Sequence, residues 1–198
     1  MGFRAINDLS KHTAWLHAPA EWFASYGVVL FGLLLVVGLL QNRSVSLTAV
    51  GRSLLAGVGV LIAVAVNQPI VHAVDEPRPY QHWHDVLVLV HRSADASFPS
   101  DHSVMAGAVA VGLLLSRRRL GIVAVPLALL MAADRVYVGA HYPVDVLAGL
   151  AVGAVVALAV QALSPLVTGL LERLSHGPVR PLLLAANRRP VLQVRPRA

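Results

Sequence analysis

At 198 residues, 57% hydrophobic, 13% charged and with a mean hydropathy of +0.68, the chain is too apolar for an ordinary water-soluble domain and falls in the membrane class. Its formal charge of +6 does not indicate nucleic acid, because the basic residues flank apolar runs instead of gathering on one solvated face. The absence of cysteine excludes disulfides, thiolate metal sites and cysteine nucleophiles.

The opening stretch MGFRAINDLSKHTAWLHAPAEWF lacks the compact apolar core of a signal peptide, and Ile6 interrupts the myristoylation pattern. Phe3, Ile6 and Leu9 recur at helical spacing, and Trp15, Trp22 and Phe23 suit a membrane interface. Residues 1–25 therefore read as an in-plane amphipathic helix. Apolar stretches near 26–40, 54–74, 103–115, 120–138 and 144–167 read as five membrane spans. A bilayer core asks for about 20 helical residues. The shorter stretches reach that length through interfacial residues at their ends, with Arg117, Arg118 and Arg119 snorkelling from the third. The expected fold is thus an all-α integral membrane protein: one domain over 1–167, followed by a basic cytoplasmic tail over 168–198 that is disordered or lies on anionic lipid.

Counting basic residues on the two sides of five alternating spans fixes the orientation. One side carries Arg43, Arg52, Arg117, Arg118, Arg119, Arg173, Arg180, Arg188, Arg189, Arg195 and Arg197. The other carries only Arg4, Lys11, Arg78, Arg92 and Arg135. The larger set marks the cytoplasm, so the loop from about 75 to 102 faces outward. Three polar clusters then fall at one membrane boundary: DEPRPY (Asp75–Tyr80), FPSDH (Phe98–His102) and DRVYVGAHYPVDV (Asp134–Val146). Ionisable residues at span ends mark function by default, although a single arginine there is more often only an anchor.

His141 and Asp145 are four apart, with Pro143 near the first turn of the last span; this spacing lets the carboxylate approach the imidazole from one turn further on. A carboxylate that orients one ring nitrogen leaves the other free as a nucleophile or base. Arg135, on the last turn of the preceding helix, brings a planar fork suited to phosphate oxygens. Ser100 follows Pro99 as a good N-cap, opening a helix whose free N–H groups attract an anion. His102, two residues on, is placed to give that anion's leaving oxygen a proton.

Taken together, Arg78-Pro79, Pro99-Ser100-Asp101-His102, and Arg135 with five residues to His141 and three more to Asp145 resemble the three signature motifs of the type 2 phosphatidic acid phosphatase superfamily. The stretches FRAINDLSKHTAWLH, SFPSDH and RVYVGAHYPVDVLAG look most like its bacitracin-resistance type of bacterial undecaprenyl diphosphate phosphatase. The resemblance implies cofactor-free, metal-independent phosphoryl transfer through a phosphohistidine. His141 is then the nucleophile and Asp145 its orienting carboxylate. His102 is the general acid and base, and Arg78, Arg135 and Ser100 hold the phosphate oxygens. The implied partner is a polyprenyl diphosphate lipid, hydrolysed to the monophosphate at the outer face of the cytoplasmic membrane, which recycles a cell-envelope lipid carrier.

Two departures stand out. The family's first motif usually has a lysine where this chain has Val71, with His72 and Arg92 as nearby substitutes, and Asp134 and Asp101 stand where other residues are commoner. The histidines His82, His84 and His91 read as structural or interfacial, since no third metal ligand is fixed by spacing. Asn67 and Gln68 read as interhelical hydrogen-bond partners, and Gly149 with Gly153 as a close helix contact within the monomer; the sequence specifies no oligomeric state. Two other functions compete: a phosphatase of phosphatidic acid or phosphatidylglycerol phosphate, and a lipid-phosphate-binding or transport protein. The latter needs cations but has no need of a His/Asp pair facing a second histidine.

Overall fold

The computed structural model describes residues 2–177 and 180–185, and these form only helices and connecting turns. An amphipathic helix α1 (Gly2–His12) leads through a short 3-10 turn (Ala14–Leu16) into α2 (His17–Asn42). Then come α3 (Leu47–Val74), the single turn α4 (Pro79–His82), α5 (Asp101–Ser116), α6 (Arg118–Tyr137) and α7 (Pro143–Gln161). Two further helices, α8 (Ser164–Leu174) and α9 (Arg180–Leu183), follow. Arg188, Arg189, Arg195 and Arg197 of the expected basic tail lie outside the described residues.

Four segments built on α2, α3, α6 and α7 are long and apolar enough to cross a membrane. Helix α5 is apolar but has only 16 residues, roughly 24 Å of rise, and it sits at the centre with α3, α6 and α7 around it. Neighbouring helices cover most of its middle turns. Val104, Ala106, Ala108, Val109 and Leu113 of α5 are fully or almost fully buried, whereas Leu33, Leu61, Leu129 and Leu158 on the surrounding helices are exposed. That apolar outside is the expected surface of a chain solvated by lipid. The protein is a multi-pass membrane protein.

Two boundaries differ from the sequence reading. Helix α2 begins at His17, so Trp22 and Phe23 belong to the long helix and only Gly2–His12 forms the separate amphipathic one. The stretch 144–167 is two helices, because the chain turns after Gln161 and Pro165 restarts it at the first positions of α8, where a missing N–H costs nothing.

The pairing of α5 with α7 fixes the site. Helix α7 presents Gly149 and Gly153 to α5: a Cβ on Gly149 would stand 2.7 Å from the carbonyl oxygen of Ser100, and one on Gly153 would collide with the carbonyl oxygen of Val104. Only glycine lets the backbones approach this closely. At the other end of the bundle, the buried Asn42 donates to the Ser53 hydroxyl (2.8 Å) and to the carbonyl of Ser116 (3.0 Å), tying α2, α3 and α5 together with a polar group that would otherwise be costly to bury.

Candidate active site

The ends of α3 and α6 and the starts of α5 and α7 meet around a pocket of about 440 Å³. Arg78, His102, Arg135 and His141 all line it, together with Gln68, Val71, His72, Asp75, His91 and Asp101. Asp145 is fully buried behind His141.

The turn from Arg135 to His141 is closed by one carbonyl. Helix α6 ends with Gly139 in the left-handed region (φ 79°), and the oxygen of Arg135 accepts from both Ala140 N (3.1 Å) and His141 N (3.2 Å) while Gly139 N donates to Val136. A left-handed glycine cap of this kind satisfies the orphan carbonyls of a helix end. It also explains the five-residue spacing: the residue that leaves the cap is delivered back beside the last turn's arginine.

Helix α7 then starts at Pro143, and Asp145 closes a capping box by accepting from Tyr142 N (2.8 Å). The same Oδ2 accepts from the Ser97 hydroxyl (2.5 Å). Asp145 Oδ2 is 3.6 Å from His141 Nδ1, which is too long for a hydrogen bond. The hydrogen bond of Nδ1 goes instead to the carbonyl oxygen of Ser97, at 2.8 Å. A carbonyl can only accept, so Nδ1 carries the proton and Nε2 is the bare nitrogen. Arg78 Nη1 donates to that nitrogen at 3.2 Å. Ser97 was absent from the sequence reading, because its main contribution is a main-chain oxygen; the serine opening SFPSDH was visible, its carbonyl was not.

Arg78 is itself held by its backbone N–H, which donates to Gln81 Oε1 (2.7 Å), and by its Nε, which donates to the carbonyl of Asp95 (2.9 Å). Arg135 is buried and makes one long bond from Nη1 to the carbonyl of Ala24 (3.4 Å), and its Nε has no partner among the described residues. Ser100 occupies the N-cap of α5 but makes no side-chain cap bond; its Oγ is buried without a partner among the described residues, and it is not one of the residues that line the pocket. The first N–H groups of α5 lack intrahelical acceptors. Asp101 accepts from Asn67 Nδ2 (2.7 Å) and Gln68 Nε2 (3.1 Å), so it latches α5 to α3. Val71 and His72 both line the pocket, while Arg92 sits over the Tyr80 ring, 5.5 Å from its centroid. His82 packs edge-on against Trp83. Among the described residues no group of three His, Asp or Glu is disposed to hold a metal ion.

Burial pushes His141 below the ordinary histidine range; Arg135 and Arg78 push the same way, and Asp145 opposes them. This balance favours the neutral imidazole.

Residues 52–168 match the PAP2 superfamily, more than half of the chain. This protein belongs to the PAP2 superfamily. Over 154 residues, 78% of each chain, it is 36% identical to the undecaprenyl-diphosphatase BcrC of Bacillus subtilis strain 168. Its fold is similar to the crystal structure of Aquifex aeolicus LpxE, with a TM-score of 0.61 and 24% identity over 81% of this chain and 92% of that one. It is similar as well to a PAP2-type phosphatidylglycerolphosphate phosphatase from Bacillus subtilis, with a TM-score of 0.59 and 22% identity over 82% and 85%. As a PAP2 superfamily member this chain is a phosphatase, and the three motifs read from its sequence all fall at one end of its helical bundle.

Proposed function

We propose that this phosphatase hydrolyses a polyprenyl diphosphate lipid to the monophosphate and inorganic phosphate through a phosphohistidine on His141. The observation that carries this reading is the Ser97 carbonyl on Nδ1, which leaves Nε2 as the bare nitrogen facing a pocket with two arginines. An incoming terminal phosphate takes over Arg78 Nη1 and so releases the Nε2 lone pair. Nε2 attacks phosphorus while the bridging P–O bond breaks, and protonated His102 gives its proton to the leaving lipid phosphate. Asp145, 3.6 Å from Nδ1, stabilises the positive charge that grows on the ring. His102 then takes a proton from water, the hydroxide displaces Nε2 from phosphorus, and inorganic phosphate leaves. Arg78, Arg135 and the Ser100 end of α5 bear the charge on the phosphoryl oxygens throughout.

The diphosphate reading is supported by the 36% identity to an undecaprenyl-diphosphatase, whereas the solved structures, under 25% identical, speak for fold alone. Five helices crossing the cytoplasmic membrane, α5 included, with the motif end outside, is the arrangement favoured by the basic residues of the opposite end, Arg43, Arg117, Arg118 and Arg119. The test is phosphate release by the purified protein, in the presence of chelator, from undecaprenyl diphosphate, phosphatidic acid and phosphatidylglycerol phosphate. The expected order puts the diphosphate first by at least about tenfold in kcat/KM; equal rates, or a faster phosphatidylglycerol phosphate, would overturn the substrate assignment.

A further inference from the structure

A second cavity, of about 500 Å³, lies between α1, α2 and α6, away from the phosphatase pocket. Its walls include Ile6, Phe23, Leu130, Ala133 and Tyr137, and one charged residue, Asp134. The Tyr137 hydroxyl is already paired with Thr13 (2.7 Å). Asp134 is not paired: it is 7% exposed, its Oδ2 is buried without a hydrogen-bond partner among the described residues, and it forms no ion pair among them. Arg135 is next in the chain but turns to the other side of α6, where it lines the phosphatase pocket; successive residues of a helix diverge by about 100°.

A buried carboxyl group without a donor is costly, and the cost is relieved by a ligand that brings N–H groups and positive charge. The rest of the cavity asks for hydrocarbon. Asp134 stands in the last turn of α6, level with Arg135 and hence with the membrane boundary at which the site lies, and Leu130 lies one turn deeper. We propose that this cavity binds a membrane amphiphile with a primary ammonium head, the ammonium on Asp134 and a hydrocarbon chain along Phe23 and Leu130. A primary ammonium supplies three donors, whereas a quaternary one supplies none. Phosphatidylethanolamine and a free long-chain amine share this chemistry. The site is separate from the catalytic pocket and does not depend on the substrate assigned above.

The test is lipid retention by the delipidated full-length protein, followed by native mass spectrometry with equal amounts of phosphatidylethanolamine and phosphatidylcholine of matched chains. The ethanolamine lipid should be retained roughly tenfold more, the share expected of a charge-assisted hydrogen bond, and Asp134→Asn should abolish the preference. Ala133→Phe, which fills the cavity from an exposed position and leaves the carboxyl in place, should lower retention by a similar factor and serves if Asp134→Asn does not fold. Displacement by dodecylamine would extend the site to any long-chain amine; failure of dodecylamine with the ethanolamine preference intact would restrict it to the phospholipid. Equal retention of the two phospholipids, a preference unchanged in Asp134→Asn or retention unchanged in Ala133→Phe, or displacement by an uncharged prenol as good as by dodecylamine, would overturn the assignment.

Discussion

His141 gives its Nδ1 proton to the main-chain oxygen of Ser97 at 2.8 Å, while the Ser97 hydroxyl gives its own to Asp145. One buried residue thus fixes the tautomer of the imidazole with its backbone and the position of the carboxylate with its side chain.

Replacing Ser97 by alanine leaves the carbonyl and removes only the hydroxyl, so Asp145 loses one of its two donors. A hydrogen bond to a charged group contributes about 1.5–3 kcal/mol, and kcat should fall roughly tenfold to hundredfold with KM little changed. His141→Ala, by contrast, should abolish turnover. Steady-state kinetics on one lipid diphosphate checks both, and a His141→Ala variant within tenfold of wild type would remove the nucleophile.

The pH profile tests the tautomer argument. Protonation of Nε2 removes the attacking lone pair, and burial holds His141 below its ordinary value of about 6.5. The neutral ring therefore persists as pH falls past the point where a free histidine would charge. The acid limb of kcat/KM assigned to this group should lie below pH 6.5.

Two variants should move that limb in opposite directions while both lose rate. Arg78→Gln removes a cation that disfavours the imidazolium, so the limb should shift up. Asp145→Asn removes the charge that favours it, so the limb should shift down, with a loss in kcat of about 10²–10⁴-fold by analogy with triad carboxylates. Shifts of the same sign in both would contradict the electrostatic account.

Val71 lines the pocket beside Arg78 and His141, at the position where the motif resemblance implies a lysine. Val71→Lys adds a third cation facing the phosphate, and inhibition by orthovanadate should tighten by about tenfold, the weight of one charge-assisted contact. Inhibition constants for the two proteins decide it; no tightening would mean that His72 or another group already fills the role.

Gly153→Ala should destabilise the bundle, because the added methyl collides with the carbonyl of Val104 on α5. Overpacking of this kind costs about 1–3 kcal/mol, visible as a lower unfolding temperature in detergent. Gly169→Ala, where nothing stands within 4 Å, is the matched control.

The site motifs were legible because their chemistry sits in side chains whose spacing a helix end dictates: Arg135, His141 and Asp145 follow from one cap and one N-terminal turn. Asn67 and Gln68 were legible as interhelical partners, and the structure supplies their target, Asp101. What the sequence withheld was backbone. The carbonyls of Ser97, Asp95 and Ala24 hold the imidazole and the two arginines, and no residue type announces a carbonyl. The join between α1 and α2 was misplaced for a related reason: Ala14–Leu16 is apolar and helix-compatible, and only a three-residue 3-10 turn separates the two helices. Asp134 was visible as an oddity, yet its lack of partners among the described residues is a property of three helices at once.

The Arg135 carbonyl that accepts from both Ala140 and His141 makes the arginine and the histidine parts of one lever. Those two bonds set the separation between the arginine and the imidazole through the cap at the end of α6. Lengthening or shortening 136–140 by one residue should break that lever and separate the roles proposed for Arg135 and His141.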